Sequence, residues 1–239
     1  SRPNSQAGRV RPKGWPWGTT ASAVLALAAV AVAGYTHFHP DLFQRLFGSL
    51  LGPPQVILRE AYQEKPNGPT FDHSMFDALL KAHVDDKGGV DYEWLKLDVA
   101  KLDAYIKALA AAPFDDMGRN QKLALLIDAY NAFTLRLILD HYPIDSIQSI
   151  PAEKRWDAVR WRVGGHTWSL NQIEQEQIRP KFKEPRVHFA LVCAAVGCPK
   201  LRNKAYEADR IDEQLEDQAR YVQTHSRWFQ FEPDSGVVR

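Results

Sequence analysis

Between Gln121 and His141 the chain places Leu123, Leu125, Leu126, Ile127, Tyr130, Phe133, Leu135, Leu137 and Ile138, a helical stretch that is apolar on nearly every side. A helix without a solvated half belongs inside a core, so the rest of the chain must supply the layers around it. At ~100° per residue, Lys122, Arg136 and Asp140 fall together as the expected solvated strip. Asp128 and Asn131 fall on another side, one turn apart, among apolar neighbours. A carboxylate buried there needs a partner, and Arg179 and Arg186 are the candidate arginines. The pair either caps a neighbouring loop or lines a pocket.

Around that helix the periodicity predicts an α+β domain, rich in helix, with a small, mainly antiparallel sheet. Met75, Phe76, Leu79, Leu80 and His83 recur at helical spacing behind Asp72, the expected N-cap. Asp85-Asp86-Lys87-Gly88-Gly89 breaks that helix, and Leu102, Tyr105, Ile106 and Leu109 mark a second, stopped by Pro113. Past Trp156 the period switches to two. Val159, Trp161 and Val163 alternate with arginines, Gly164-Gly165 turns the chain, and His166, Trp168 and Leu170 alternate on the way back, which is a β-hairpin pattern. Asn171 with Glu174 reads as a capping-box helix start. The apolar run Arg186 to Cys193 fits a short buried strand. Asp209 is placed to cap a helix carrying Ile211, Leu215, Ala219 and Val222. Trp228 to Phe231 and Val237-Val238 form a final strand pair about the turn Pro233-Asp234-Ser235-Gly236.

Ahead of this domain, expected over 70–239, lie two other segments. Residues 1–40 are a basic leader followed by an uncharged apolar stretch, residues 19–35, which is either a membrane anchor or a secretory signal. Trp15 and Trp17 suit an interfacial anchor, while Ala31-Val32-Ala33 suits a cleavage site. Residues 41–69 read as an amphipathic tether and loop, with Leu42, Phe43, Leu46, Phe47 and Leu50 on one face. Either form of leader directs the remainder of the chain to the extracytoplasmic, periplasmic side, anchored in the inner membrane or secreted.

Charge and composition exclude several function classes. Of the 239 residues 45% are hydrophobic and 25% charged, which is globular composition. The net charge is +1, but the first twenty residues hold four cations and no acid, so the rest sums to −3. That body is unsuited to neutralising phosphates, and no nucleic-acid partner is expected. Neither His37 with His39 nor His73 with His83 has metal-ligand spacing with a carboxylate, so no metal is expected. No P-loop, dinucleotide fingerprint or nucleophile elbow occurs, and no cofactor is expected.

Chemistry concentrates in Arg186-Val187-His188-Phe189-Ala190-Leu191-Val192-Cys193-Ala194-Ala195-Val196-Gly197-Cys198-Pro199. A regular strand points His188 and Cys193 to opposite faces. Cys198 sits ahead of Pro199, a suitable first helical residue, where a thiol ionises more readily. Cys198 is then a candidate nucleophile and His188 its base, provided that strand and turn fold back. The competing readings are a structural Cys193–Cys198 disulfide, formed outside the cytoplasm, or two inert thiols.

Taken together these segments resemble the bacterial branch of the domain of unknown function 547 family. The resemblance rests on Phe71-Asp72-His73-Ser74-Met75-Phe76-Asp77-Ala78-Leu79-Leu80, on Ala129-Tyr130-Asn131-Ala132 with Thr134-Leu135, on Ser169-Leu170-Asn171 with Ile173-Glu174, and on Arg186, His188-Phe189-Ala190-Leu191, Cys193 and Cys198-Pro199. It spans about residues 70–225 and implies a pocket cluster of Asn131, Asn171, Glu174, Arg179, His188, Cys193 and Cys198. It implies no activity, none being established for the family. Where the family usually has Asn this chain has Asp128, and where it usually has His after the Ile-Glu pair this chain has Gln175.

Two functions follow as expectations. One is a cysteine-dependent hydrolase or acyl transferase of the cell envelope, with Cys198 as nucleophile, His188 as base and Asn131 or Asn171 as oxyanion donor. The other is a non-catalytic envelope module that binds a ligand or protein beside Trp156, Trp161 and Trp168, with the cysteines as a structural disulfide.

Overall fold

The computed structural model describes residues 58–195 and 197–225 and the backbone of 231–232 and 237–238. The leader, the apolar segment 19–35, the amphipathic stretch 41–51, His37, His39 and Trp228 lie outside the described residues. Among the described residues no helix is long and apolar enough to cross a membrane.

The all-round apolar stretch is a helix, α4 (Arg119–His141), with α1 (Ser74–His83), α2 (Tyr92–Leu97) and α3 (Val99–Ala110) before it in the chain. Its flanks from Leu123 to Leu139 are buried except at Arg136. Arg136 and Asp140 pair at its surface, as the strip predicts. Lys122 departs from that strip and is buried. Its ammonium donates to the carbonyls of Phe114 and Asp115 and lies 4.4 Å from the Phe114 ring centroid. Burial lowers its pKa against the charges of Asp115 and Asp116. A lysine stem can follow an apolar surface while its head finds oxygens, which a helical wheel does not show.

The outer layers assemble on α4. Leu102, Tyr105 and Leu109 of α3 are buried, and Phe76 of α1 stacks on Tyr105 at 4.9 Å. The hairpin forms as expected, with β1 (Trp161–Val163) antiparallel to β2 (His166–Trp168) and Val163 paired with His166. Gly164 and Gly165 take φ of +54° and +86°, the positive values a two-residue turn of this kind requires. A Cβ on Gly164 would sit 2.3 Å from that of Phe114, so the turn also has to be slim. Trp161 is buried and stacks on Phe133 at 4.7 Å, so its indole serves the core rather than a binding surface. After β2 come α5 (Leu170–Gln172), continuing as a π-helical stretch over Ile173–Ile178, and then α6 (Ile211–Thr224). A second antiparallel pair joins β3 (Phe231–Glu232) to β4 (Val237–Val238). Among the described residues the class is α+β, the strands forming two separate two-stranded ladders.

Several local expectations are corrected. The run 186–193 is not a strand: Pro185–Phe189 is a 3-10 turn followed by loop, and Val187, Ala190 and Leu191 are buried at helical rather than alternate spacing. Pro185 starts that turn, and Glu184 accepts from the Arg186 N–H at 3.1 Å, so the backbone winds instead of extending. The capping box belongs to Ser169 and Gln172, two positions before Asn171. Asp209 does not cap α6, whose N-cap is Arg210. His73 takes the N-cap position of α1, while Asp72 accepts from the Ser74 N–H at 2.8 Å. Residues 58–69, expected as the end of a tether, lie on this domain: Ala61 N–H donates to the Lys181 carbonyl, Glu60 pairs with Arg119, and Tyr62 packs on Phe182.

Candidate functional site

Asn131 stands on α4 with only 3% of its surface exposed, and both ends of its amide are hydrogen-bonded. Its side-chain N–H donates to the Ala190 carbonyl at 3.0 Å, and its oxygen accepts from the Val192 N–H at 3.0 Å. A neutral amide that both donates and accepts can mimic a strand partner, and here it fixes the loop that leads into the cysteines. The sulfurs of Cys193 and Cys198 lie at disulfide distance, with Cα atoms 6.1 Å apart, and no free cysteine remains. Within the ring they close, Ala194 holds φ of +52°, a backbone state costly to a residue with a Cβ.

Beside this loop opens a cleft of about 360 Å³. One wall is the turn after α1, with Lys87, Gly88 and Gly89; the floor is Asn131, Thr134 and Leu135 of α4; the far wall is Ala194 and Ala195 with Cys198 to Leu201. The turn is locked by Asp85, whose Oδ1 accepts from the N–H groups of Lys87 and Gly89 at 2.8 and 2.7 Å. Gly88 has φ of +84°, and a Cβ there would meet the Lys200 Cβ at 2.6 Å, so the two walls touch only because this residue is glycine. Burial pushes the pKa of Tyr92, which also lines the cleft, up to about 12, so it stays protonated.

One turn back on α4, Asp128 is 1% exposed and faces a different loop. Its carboxylate accepts from the Tyr206 N–H at 3.0 Å and lies 2.8 Å from Nδ1 of His73. The Tyr105 hydroxyl is 2.8 Å from the same Nδ1. A carboxylate can only accept, so the ring proton belongs on Nδ1. Nε2 is left buried and without a hydrogen-bond partner among the described residues. Burial pushes the Asp128 carboxyl up, opposed by the His73 ring and the Tyr206 N–H. Burial first, and then the charges of Asp128 and Asp72, hold the Tyr105 hydroxyl well above its ordinary range.

Residues 114–221 match the family model described as "Protein of unknown function, DUF547". Over that segment the chain is similar to the DUF547 family. No curated protein and no solved structure matches it. The DUF547 match begins ahead of α4 and ends within α6, so it takes in Asp128, Asn131 and both cysteines. His73 and Tyr105, the partners of Asp128, precede it in the chain.

The other residues expected in a DUF547 pocket cluster are dispersed. His188 is exposed, packs edge-on against Phe189, and does not line the cleft that holds Cys198, so the proposed dyad is not assembled. The reason is the 3-10 turn, which carries His188 outward where a folded-back strand was needed. Arg179 and Arg186 do not pair with Asp128. Arg179 bonds Gln175 and lies 3.8 Å from Glu174, while Arg186 binds Glu184, Asp212 and Glu216. Both arginines have carboxylates at the surface nearer to hand, and neither has to bury a guanidinium. Glu174 raises the Tyr130 pKa together with burial, the larger cause. The Asn171 side-chain N–H donates to the Asp157 carboxylate at 2.6 Å on an exposed face. The cleft brings together Asn131 and Cys198 of the expected set, and the loop of Cys193 borders it.

Sequence reasoning missed His73 as the partner of Asp128, and Lys87, Gly88 and Tyr92 as cleft residues. The signal for His73 was present in Phe71-Asp72-His73-Ser74, since a histidine next to a helix start can reach a neighbouring helix. For the other three there was only the double glycine after Lys87, which reads equally well as a helix stop.

Proposed function

We propose that this DUF547-like domain is a non-catalytic binding module of the cell envelope, taking its ligand in the cleft walled by the Cys193–Cys198 loop. The observation that carries this reading is the pairing of the two sulfurs at the wall of a preformed cleft, with His188 turned away from it. A paired sulfur offers no thiolate, and a nucleophile without a base in reach loses the main source of its activation. A disulfide also suits an oxidising compartment, which supports an extracytoplasmic location, with residues 19–35 as the membrane anchor if the leader is not removed. The cleft volume is at the lower end of the range for small-molecule sites.

The cysteine-dependent hydrolase stays as the second reading because Cys198 lines the cleft together with Asn131. Hydrolysis of p-nitrophenyl acetate by the full chain, before and after reduction, separates the two. The binding module is expected to show background rates in both states and no free thiol before reduction. Hydrolysis on reduction that Cys198→Ala abolishes and Cys193→Ala spares would overturn it.

A further inference from the structure

The charge of the cleft wall deepens the binding-module reading and rests on it. Among the described residues, two lysines, Lys87 and Lys200, line the cleft and no aspartate or glutamate does. That is unexpected in a body whose net charge beyond the leader is −3. The acids nearest in sequence are turned to other work. Asp85 accepts from the amides of its own turn, and Asp86 accepts from the Asn203 side chain at 2.9 Å. The cavity of about 380 Å³ over His73 shows the opposite arrangement, lined by Asp72, Asp77, Glu207 and Asp209 without a lysine or arginine.

The two lysines differ in what they hold. Lys200 donates to the Asp86 carbonyl at 3.0 Å and lies 4.0 Å from the Tyr221 ring centroid, so it is anchored as part of the wall. Lys87 is exposed and has no ion-pair partner among the described residues. The cleft is also lined by the apolar side chains of Val90, Leu135, Val192 and Leu201, and by Tyr92. There is no arginine fork and no cluster of cations such as a phosphate site uses. One exposed ammonium without an ion-pair partner, set in a lining that includes Val90, Leu135, Val192 and Leu201, matches a single negative charge on an apolar tail.

We infer that the cleft beside the disulfide binds a small carboxylate with an apolar tail, its charge at Lys87 and its tail against Leu135 and Val192. Such a group is carried equally by a free short-chain acid and by the C-terminus of a peptide. The test titrates the oxidised full chain with hexanoate and with hexanamide, reading Kd by calorimetry and the site by amide chemical shifts. In parallel it uses the dipeptide acetyl-Leu-Ala as its acid and as its C-terminal amide. Hexanoate is expected to shift the amides of Gly88 and Val192 and to bind about tenfold more tightly than hexanamide. Lys87→Gln, an exposed change that leaves the core alone, is expected to remove most of that preference. Tighter binding of the dipeptide acid than of hexanoate assigns the site to peptide termini, and the reverse assigns it to free acids. Equal binding of hexanoate and hexanamide at the cleft would overturn the carboxylate while leaving a binding cleft. No shift at the cleft with any of the four would overturn both.

Discussion

Asp128 and Asn131 stand one turn apart on the same buried helix, and each secures a loop from the second half of the chain, but they do so by different physics. Asn131 is neutral, and two hydrogen bonds to the backbone of Ala190 and Val192 use its donor and its acceptor together. Asp128 brings a charge into the core and needs His73 from α1, Tyr206 N–H from the loop ahead of α6, and the nearby Tyr105 to hold it. The neutral anchor is complete within the segment that matches the DUF547 model, whereas the charged one draws its main partner from outside it. Asn131 also borders an open cleft, while Asp128 closes a junction among three parts of the fold. A polar residue inside an apolar helix therefore marks a loop to be held, and its charge state decides how much of the chain must converge there.

The comparison breaks most visibly if the charged anchor is disarmed. His73→Ala leaves Asp128 buried and unpaired, and is expected to cost about 3–5 kcal/mol in urea unfolding at pH 7. Adding Asp128→Asn removes the stranded charge and should recover part of that loss. If the double variant is no more stable than His73→Ala alone, the buried charge is not the cause. Asn131→Ala removes two hydrogen bonds without stranding a charge, so about 1–3 kcal/mol is expected. A loss as large as that of His73→Ala would erase the distinction between the anchors. Replacing both cysteines by alanine opens a ring of about six residues and should cost roughly 2 kcal/mol on the loop-entropy account. The same double variant should weaken ligand binding at the cleft; unchanged stability and binding together would show that the loop is held by Asn131 alone.

How far these features were legible follows the range of the interactions behind them. The core helix, the hairpin with its glycine pair and the position of α6 rest on periodicity and turn chemistry, which local sequence carries. The winding of 185–189 was also local, but an apolar run reads alike for a buried strand and a buried turn, and Pro185 with Glu184 decided it. Of the candidate site, Asn131 and the cysteines were legible as residue types in a motif. The partner of Asp128 was not, because the choice among His73, Arg179 and Arg186 depends on which side of α4 faces α1. The cleft was illegible for the same reason. Its walls at Gly88 and Lys200 are over a hundred residues apart in the chain and meet only in the folded domain.

Arg186 offers the smallest of these effects and a sign that can be worked out in advance. Burial pushes the Glu184 carboxyl up, but the hydrogen bonds and charge of Arg186 outweigh it and hold the carboxyl below its ordinary range. A carboxyl whose folded pKa is depressed stabilises the fold fully above its unfolded pKa, about 4.3, and that contribution disappears as pH falls through the folded value. Arg186 spans Glu184 and, across to α6, Asp212 and Glu216, so its loss also loosens α6 from the turn at 185–189. Arg186→Met keeps the aliphatic stem and removes the charge. It is expected to lower stability at pH 7 by about 1 kcal/mol. It should also flatten the fall in stability below pH ~4.3, because Glu184 then titrates nearer its unfolded pKa. Urea midpoints measured from pH 7 down to pH 3 test this. An acid limb as steep in Arg186→Met as in the unaltered chain would mean that other carboxylates carry the dependence, leaving Asp128 and Asn131 as the anchors that hold these loops.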